Sequence, residues 1–265
     1  MHLQVLGSGS RGNSALVRAG EAALLVDAGL SLRELDRRLE LVHFPARQLQ
    51  HVLLTHGHLD HARSAGALAK RHKLTVHCCQ RLMNNASVKR APRFQTLRVG
   101  APTPVESARG QAELSVTPVL LPHDADPTVA FRLAQPHADG ERVAVILTDM
   151  GQPEPAVARA LRGAHVLVLE FNHDTEMLRN GPYTAALKRR VGGSRGHLSN
   201  AEAAQMLRAM AGPELHTLVL AHLSEKNNTP ELARRAAQAV LDELELGHVR
   251  VLIAEQDAVG PNLDV

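Results

Sequence analysis

Three imidazoles and one carboxylate fall within the six residues His56-Gly57-His58-Leu59-Asp60-His61, directly after the apolar run Val52-Leu53-Leu54. Alternation places His56 and His58 on one side of an extended loop, where two nitrogens can meet one metal ion. Asp60 and His61 fall where a helical pattern begins, and they can turn towards a second ion. Neutral imidazole suits zinc, manganese or iron, and a carboxylate adds charge and a harder donor. Alternating donor types is what a dinuclear site needs. The plain alternative is a histidine-rich surface turn.

Composition supports the metal reading: sixteen histidines stand against one tyrosine, four phenylalanines and no tryptophan. So few aromatic rings argue against a broad platform for stacking bases. Hydrophobic residues at 44% and charged residues at 22% describe an ordinary globular chain of 265 residues. No run of eighteen apolar residues occurs, so no membrane span is expected. The start, Met1-His2-Leu3-Gln4-Val5-Leu6-Gly7, lacks the basic and apolar segments of a secretory signal. Cys78 and Cys79, the only cysteines, cannot build a disulfide framework, which fits a reducing cytoplasm. The formal net charge of +3 permits a polyanionic partner without requiring one.

Along the chain, His2–Leu6 reads as a strand running into Gly7-Ser8-Gly9-Ser10-Arg11-Gly12-Asn13-Ser14. The glycines match a dinucleotide fingerprint, but that fingerprint must open a helix. The residues beyond the loop instead carry a hairpin pattern, 15–18 and 22–26, so the loop is expected to approach a metal site or a phosphate. The second hairpin strand ends in Asp27, which either forms a turn or hydrogen-bonds a ligating histidine and sets its tautomer. Ser31 caps a helix to about Leu41. A helix over residues 60–72 and a strand ending at His77 come next.

Strand 114–119 leads to Pro122-His123-Asp124-Ala125-Asp126-Pro127, a turn-rich loop of the kind that carries site residues. His123 alone reads as a surface histidine, and beside an imidazole-rich site it reads as a ligand. The strand at 143–147 ends at Asp149, whose two oxygens can bridge two ions, although Asp before Gly also serves ordinary turns. Buried strand 166–169 runs into Glu170-Phe171-Asn172-His173-Asp174. Ser199 and Glu202 form a capping box for a helix to about Met210, and strand 218–221 closes on His222. Thr229 with Pro230 opens a long helix, and the tail after Glu255 is expected to be loosely ordered.

Asp27, the His56–His61 run, His123, Asp149 and His222 resemble, in order and spacing, the five metal motifs of the metallo-β-lactamase fold. The resemblance implies an α/β (α+β) chain folded as a four-layer αββα sandwich, one domain over residues 1–265. No room remains between Asp149 and His222 for a β-CASP insertion. Gly7–Ser14, Pro122–Ala125, Asn172–Asp174 and Gly196-His197-Leu198-Ser199-Asn200 are similar to the YycJ/WalJ group of 5′→3′ exonucleases. The closing third is also similar to tRNase Z, although a tRNA-clamping arm is missing.

Carried over residue by residue, the resemblance implies that His56, His58 and His123 hold one ion. Asp60, His61 and His222 hold the other, and Asp149 bridges the two. The implied cofactors are two divalent ions, Mn2+ or Zn2+, about 3.5–4 Å apart, sharing a hydroxide that attacks a phosphodiester. Asp60 is central to this chemistry. His173 is expected to protonate the leaving 3′-oxygen, and His197 to hydrogen-bond a phosphate oxygen. Ser224, Lys226, Asn227 and Asn228 precede a helix N-terminus where a phosphate can lodge, unless the segment is only a capping loop. The clusters Lys188–Arg190 with Arg195, and Lys89–Arg93, can track a phosphate backbone.

The expected function is thus hydrolysis of nucleic acid, DNA favoured over RNA, with backbone-dominated binding. A glyoxalase-II-like thioesterase or a cyclic-nucleotide phosphodiesterase is the first rival. A metal-binding module without turnover is the second.

Overall fold

The computed structural model describes residues 1–265. The first half forms β1 (His2–Gly7), β2 (Ser14–Ala19), β3 (Ala22–Val26), α1 (Leu32–Leu41), β4 (His51–Leu53), α2 (Leu59–Ala62), α3 (Ala65–His72), β5 (Thr75–Cys78), β6 (Arg93–Thr96) and β7 (Thr103–Glu106). Then come β8 (Ala112–Leu120), β9 (Val129–His137), β10 (Gly140–Leu147), α4 (Pro155–Ala160), β11 (Val166–Glu170), α5 (Thr175–Asn180), α6 (Ala185–Val191), α7 (Asn200–Met210), β12 (Thr217–Ala221), α8 (Pro230–Glu243), β13 (Arg250–Ile253) and β14 (Leu263–Asp264).

The strands make two seven-stranded sheets, ordered β14-β1-β2-β3-β4-β5-β6 and β13-β12-β11-β10-β9-β8-β7. Both are mixed. The pairs β3–β4, β4–β5 and β5–β6 are parallel in the first, and β10–β11, β11–β12 and β12–β13 in the second. Period-two alternation sorts side chains between layers. In β12, Val219 and Ala221 enter the core between the sheets, while Leu218 and Leu220 face the core under α4, α7 and α8. In β3, Leu24 and Val26 face the other sheet, and Ala23 and Leu25 join Leu35 of α1 and Leu68 of α3. Strands buried on both faces read as continuous apolar runs, as 166–169 does. The expected four-layer αββα sandwich is the observed fold.

Several local expectations need correction. The single helix over 60–72 is two, because Ser64 leaves the helical ladder. Its N–H donates to Ala28 O and its hydroxyl to Leu30 O, at 2.9 and 2.6 Å. The unexpected helices α5 and α6 have six and seven residues, too short for a periodic signal, and are capped by Asp174 and Thr184. The tail is not loose: β14 pairs with β1, and Gly260 N donates to Val5 O at 2.8 Å.

Pairing directions put the carboxyl ends of β1, β3, β4, β8, β10, β11 and β12 on one edge of the sandwich. The segments carrying Asn13, Asp27, the His56–His61 run, His123, Asp149, His173 and His222 all leave a strand on that edge, while Gly196–Asn200 reaches it from the end of α6. Ligands of open α/β sheets bind in such places.

Candidate metal centre

Three strand exits share an uncommon backbone. Asp27 after β3, Asp149 after β10 and His222 after β12 have φ of 62°, 64° and 55°. Non-glycine residues rarely adopt this left-handed conformation, and it concentrates at functional sites. Each residue turns the chain at once, leaving its side chain at the common edge.

The first sheet contributes the histidine run. His56 is fully buried; its Nδ1 lies 3.1 Å from Thr55 Oγ1. Asp27 accepts from Thr55 N and Oγ1 and sits 2.7 Å from His61 Nδ1. The opposite nitrogen, His61 Nε2, therefore points into the site, 3.1 Å from Asp149 Oδ2 and 3.7 Å from Asp60 Oδ2. Asn13 reaches the same nitrogen at 3.0 Å, so the glycine-rich loop does approach the cluster. Close packing here requires Gly29: a Cβ on it would lie 1.6 Å from Asp60 O.

The second sheet supplies His123, Asp149, Glu170, His197 and His222. His123 Nδ1 lies 2.8 Å from Gly196 O, turning Nε2 inward to within 3.9 Å of Asp149 Oδ1. A Cβ on Gly196 would come within 2.2 Å of Arg190 O, which explains a glycine there. Glu170 is fully buried and binds His197 Nδ1 at 2.8 Å and His222 Nδ1 at 3.0 Å. His222 Nε2 then faces Asp60 Oδ2 at 3.7 Å.

Four buried atoms at the centre of this arrangement have no hydrogen-bond partner: His56 Nε2, His123 Nε2, His222 Nε2 and Asp149 Oδ2. Each such group costs roughly 1–3 kcal/mol when unsatisfied, and four converging lone-pair donors fit cations. Ligand atoms of His56, His58 and His123 lie within 4.8 Å of one another, as do those of Asp60, His61 and His222. Asp149 joins His56 and His61 in a third such group, between the other two.

Charge separates the two halves: the side of His56 and His58 is neutral, and the side of His222 is crowded with carboxylates that hold a proton which a cation would displace. Burial, with the neighbouring His61, pushes His56 well below the usual imidazole range, and burial with His123 lowers His58, so both offer free lone pairs. Burial opposes charge on His222 too, but Asp149, Asp60 and Glu170 raise it to about 10. Burial would raise Glu170, yet His197 and His222 bring it down to about 2.

Beside the cluster lies a cavity of about 460 Å3, lined among others by Ser10, Asp124, Tyr183, Leu187, His197 and Ser224. Of the four expected phosphate contacts, only Ser224 lines it. Lys226 is exposed away from it. Asn228 is committed elsewhere: its Nδ2 donates to Phe171 O and to Asn200 Oδ1, and its Oδ1 accepts from Asn200 Nδ2 and Thr229 N. Asn227 is buried, with its N–H on Ser224 Oγ and its carbonyl accepting from Asp174 N. Asn227 and Asn228 thus tie the loop to the start of α8, while Ser224 stays on the cavity wall.

His173 also lies away from the cavity lining. It is 3% exposed, and its backbone bridges to Ser199, which draws the ring under the end of α6. His197 lines the cavity instead. The basic cluster is partly spent: Arg195 Nε donates to His123 O, and Arg190 Nε to Asp124 Oδ2.

Glu170, Asn13, Ser10, Asp124, Tyr183 and Leu187 are site residues that sequence reasoning did not single out one by one. Asn13 and Ser10 lie in the glycine-rich loop expected to approach the site, and Glu170 ends a buried apolar strand just as Asp149 and His222 follow one.

The family model of the metallo-beta-lactamase superfamily matches residues 7–222. Exodeoxyribonuclease YycJ of Bacillus anthracis is 32% identical over 249 residues, covering 93% of this chain and 91% of that protein. Exodeoxyribonuclease WalJ of Streptococcus pneumoniae is 29% identical over 249 residues, covering 92% and 89%. Among solved structures, the metallo-beta-lactamase fold protein YhfI from Bacillus subtilis superposes with a TM-score of 0.71 at 20% identity over 99% of both chains. The short form of human tRNase Z does so with a TM-score of 0.63 at 16% identity, over 98% of this chain and 99% of its own. These structural likenesses show the fold.

Proposed function

The chain belongs to the metallo-beta-lactamase superfamily, and we propose that it is a dinuclear-metal phosphodiesterase cleaving DNA exonucleolytically from the 5′ end. The observation that carries the reading is the set of four unpartnered buried donor atoms flanking a solvent-open cavity. The resemblance of 93% of the chain to a protein named exodeoxyribonuclease supports DNA as the substrate.

His56, His58 and His123 would hold one ion, Asp60, His61 and His222 the other, with Asp149 between them. Ions so held supply positive charge for phosphoryl oxygens and lower the pKa of a water nucleophile. The protein's own groups do the rest. Asp27 and Glu170 hold His61 and His222 through Nδ1, fixing the ring faces turned to the site. His197, at the cavity wall with Nδ1 on Glu170, carries the proton for the leaving oxygen, and the carboxylate orients its ring. Ser10 and Ser224 offer hydroxyls to phosphate oxygens, and Tyr183 with Leu187 offers an apolar wall for one base. One ring suits sequence-tolerant binding.

The cavity volume favours a second reading, a small-molecule phosphodiesterase, since about 460 Å3 holds one nucleotide-sized ligand. Purified protein with Mn2+ or Zn2+ is to be offered 5′-labelled and 3′-labelled single-stranded DNA, matching RNA and bis-p-nitrophenyl phosphate. Mononucleotide release from the 5′ end of DNA is expected. Hydrolysis of the small diester with both polymers intact would refute the nuclease reading and favour the second.

A further inference from the structure

The loop after β8 carries two carboxylates outside the ligand set above; Asp126 pairs with Arg81 at the surface, and Asp124 turns to the site. Asp124 Oδ1 lies 3.2 Å from His123 Nε2 and 3.4 Å from His58 Nε2. These separations exceed the roughly 2.7–2.9 Å of a charge-assisted N–H···O bond. His123 Nε2, on a side chain 1% exposed, indeed has no hydrogen-bond partner, and neither does Nε2 of fully buried His56. Ligands about 2.0–2.1 Å from one tetrahedral ion stand about 3.3–3.4 Å from each other. The Asp124 oxygen therefore keeps the spacing of two ligands sharing an ion with His58 and His123.

Its other oxygen is held from outside. Oδ2 accepts from Arg190 Nε of α6 at 2.6 Å, a bond that fixes the carboxylate plane and leaves Oδ1 turned to the imidazoles. Ligating carboxylates are commonly oriented by such a partner. The side chain is 30% exposed and lines the cavity, so nothing in the packing forces it inward.

We infer that Asp124 is a further protein ligand of the ion held by His56, His58 and His123, with Arg190 as its positioning residue. A carboxylate added to three imidazoles hardens this site and moves its preference from zinc towards manganese. The inference rests on the dinuclear reading of the centre.

The test measures metal, not turnover. Metal-depleted wild type, Asp124→Asn, Asp124→Ala and Arg190→Ala are titrated calorimetrically with Mn2+ and Zn2+, and the Co2+-loaded proteins are compared by visible absorption. Wild type should take up two ions. Both Asp124 variants should lose about 10–100-fold in affinity at one of the two sites, Mn2+ more than Zn2+, with a changed Co2+ spectrum. Arg190→Ala should lose less and keep the Co2+ band pattern. Unfolding of the metal-free proteins shows whether each variant folds, and Asp124→Asn conserves shape should the alanine fail. If wild type binds two ions but the Asp124 variants bind them with unchanged affinity and spectrum, the inference fails alone. It fails equally if Arg190→Ala matches Asp124→Asn with the Co2+ spectrum intact, since Asp124 is then a salt-bridge latch. Uptake of fewer than two ions by wild type would overturn the dinuclear reading itself.

Discussion

Glu170 does for the second sheet what Asp27 does for the first: it holds the site's histidines from behind. Its carboxylate, itself fully buried, holds His197 and His222 and also accepts from Met150 N and Leu198 N. Replacing it by glutamine keeps the shape but loses the charge and turns a donor towards N–H groups. Glu170→Gln should weaken the second ion by about 10–100-fold, read by competition with a chelating dye. Unchanged metal affinity would show that His222 needs no support. Asn228 makes the opposite case. Both polar atoms of its amide are occupied within the fold. Asn228→Ala should cost about 1–3 kcal/mol of unfolding free energy while leaving KM for DNA unaltered. A raised KM at unchanged stability would return it to the phosphate site.

Among the elements, α1 is tied to the site by charge as well as by Leu35 and Leu39. Arg38 is 3% exposed; it donates Nη1 to Leu6 O at 2.6 Å and Nε to Glu34 Oε1 at 2.5 Å. A Cβ on Gly7 would meet that guanidinium at 2.1 Å, so the start of the glycine loop is shaped to admit it. Arg37 and then Arg38 pull the Glu34 carboxyl down to about 2, against the opposing effect of burial. Because the folded pKa lies below the unfolded one, this stabilisation is full above the ordinary carboxyl range and fades as pH falls through about 2. Glu34→Gln should therefore lower stability by about 1 kcal/mol at neutral pH, given its partial exposure. The gap to wild type should close in strong acid, as followed by urea unfolding at several pH values. A constant gap would assign the loss to packing.

Across the whole molecule, the centre joins two half-molecules. His56, His58, Asp60 and His61 come from the side of the first sheet; His123, Asp149 and His222 come from the second. Ions bound between them would act as cross-links, adding about 2.7 kcal/mol at a hundredfold excess over Kd. For a chain of this size that is a rise in Tm of about 5–10 °C. Differential scanning fluorimetry with and without a chelator checks this, and equal Tm values would mean that the halves hold together without metal.

Much of this was legible in the linear chain. The donor run at His56–His61, the apolar strands before Asp27, Asp149 and His222, and the caps at Ser31, Ser199 and Thr229 are local patterns. Each depends on residues a few positions apart, which is why the elements and the first donors could be expected, whereas the layers and the full ligand set were implied by the resemblance to the metallo-β-lactamase fold. Tertiary structure decided what depends on distant partners: the break at Ser64 made by Leu30 and Ala28, the pairing of the tail with β1, and the burial of Asn228 against Asn200. It also decided which histidine meets the cavity. His173 and His197 sit in similar loops, but only His197 has a buried carboxylate from a neighbouring strand to turn it outward. Proximity in sequence identifies donors, whereas their direction is fixed by side chains that arrive from elsewhere in the fold.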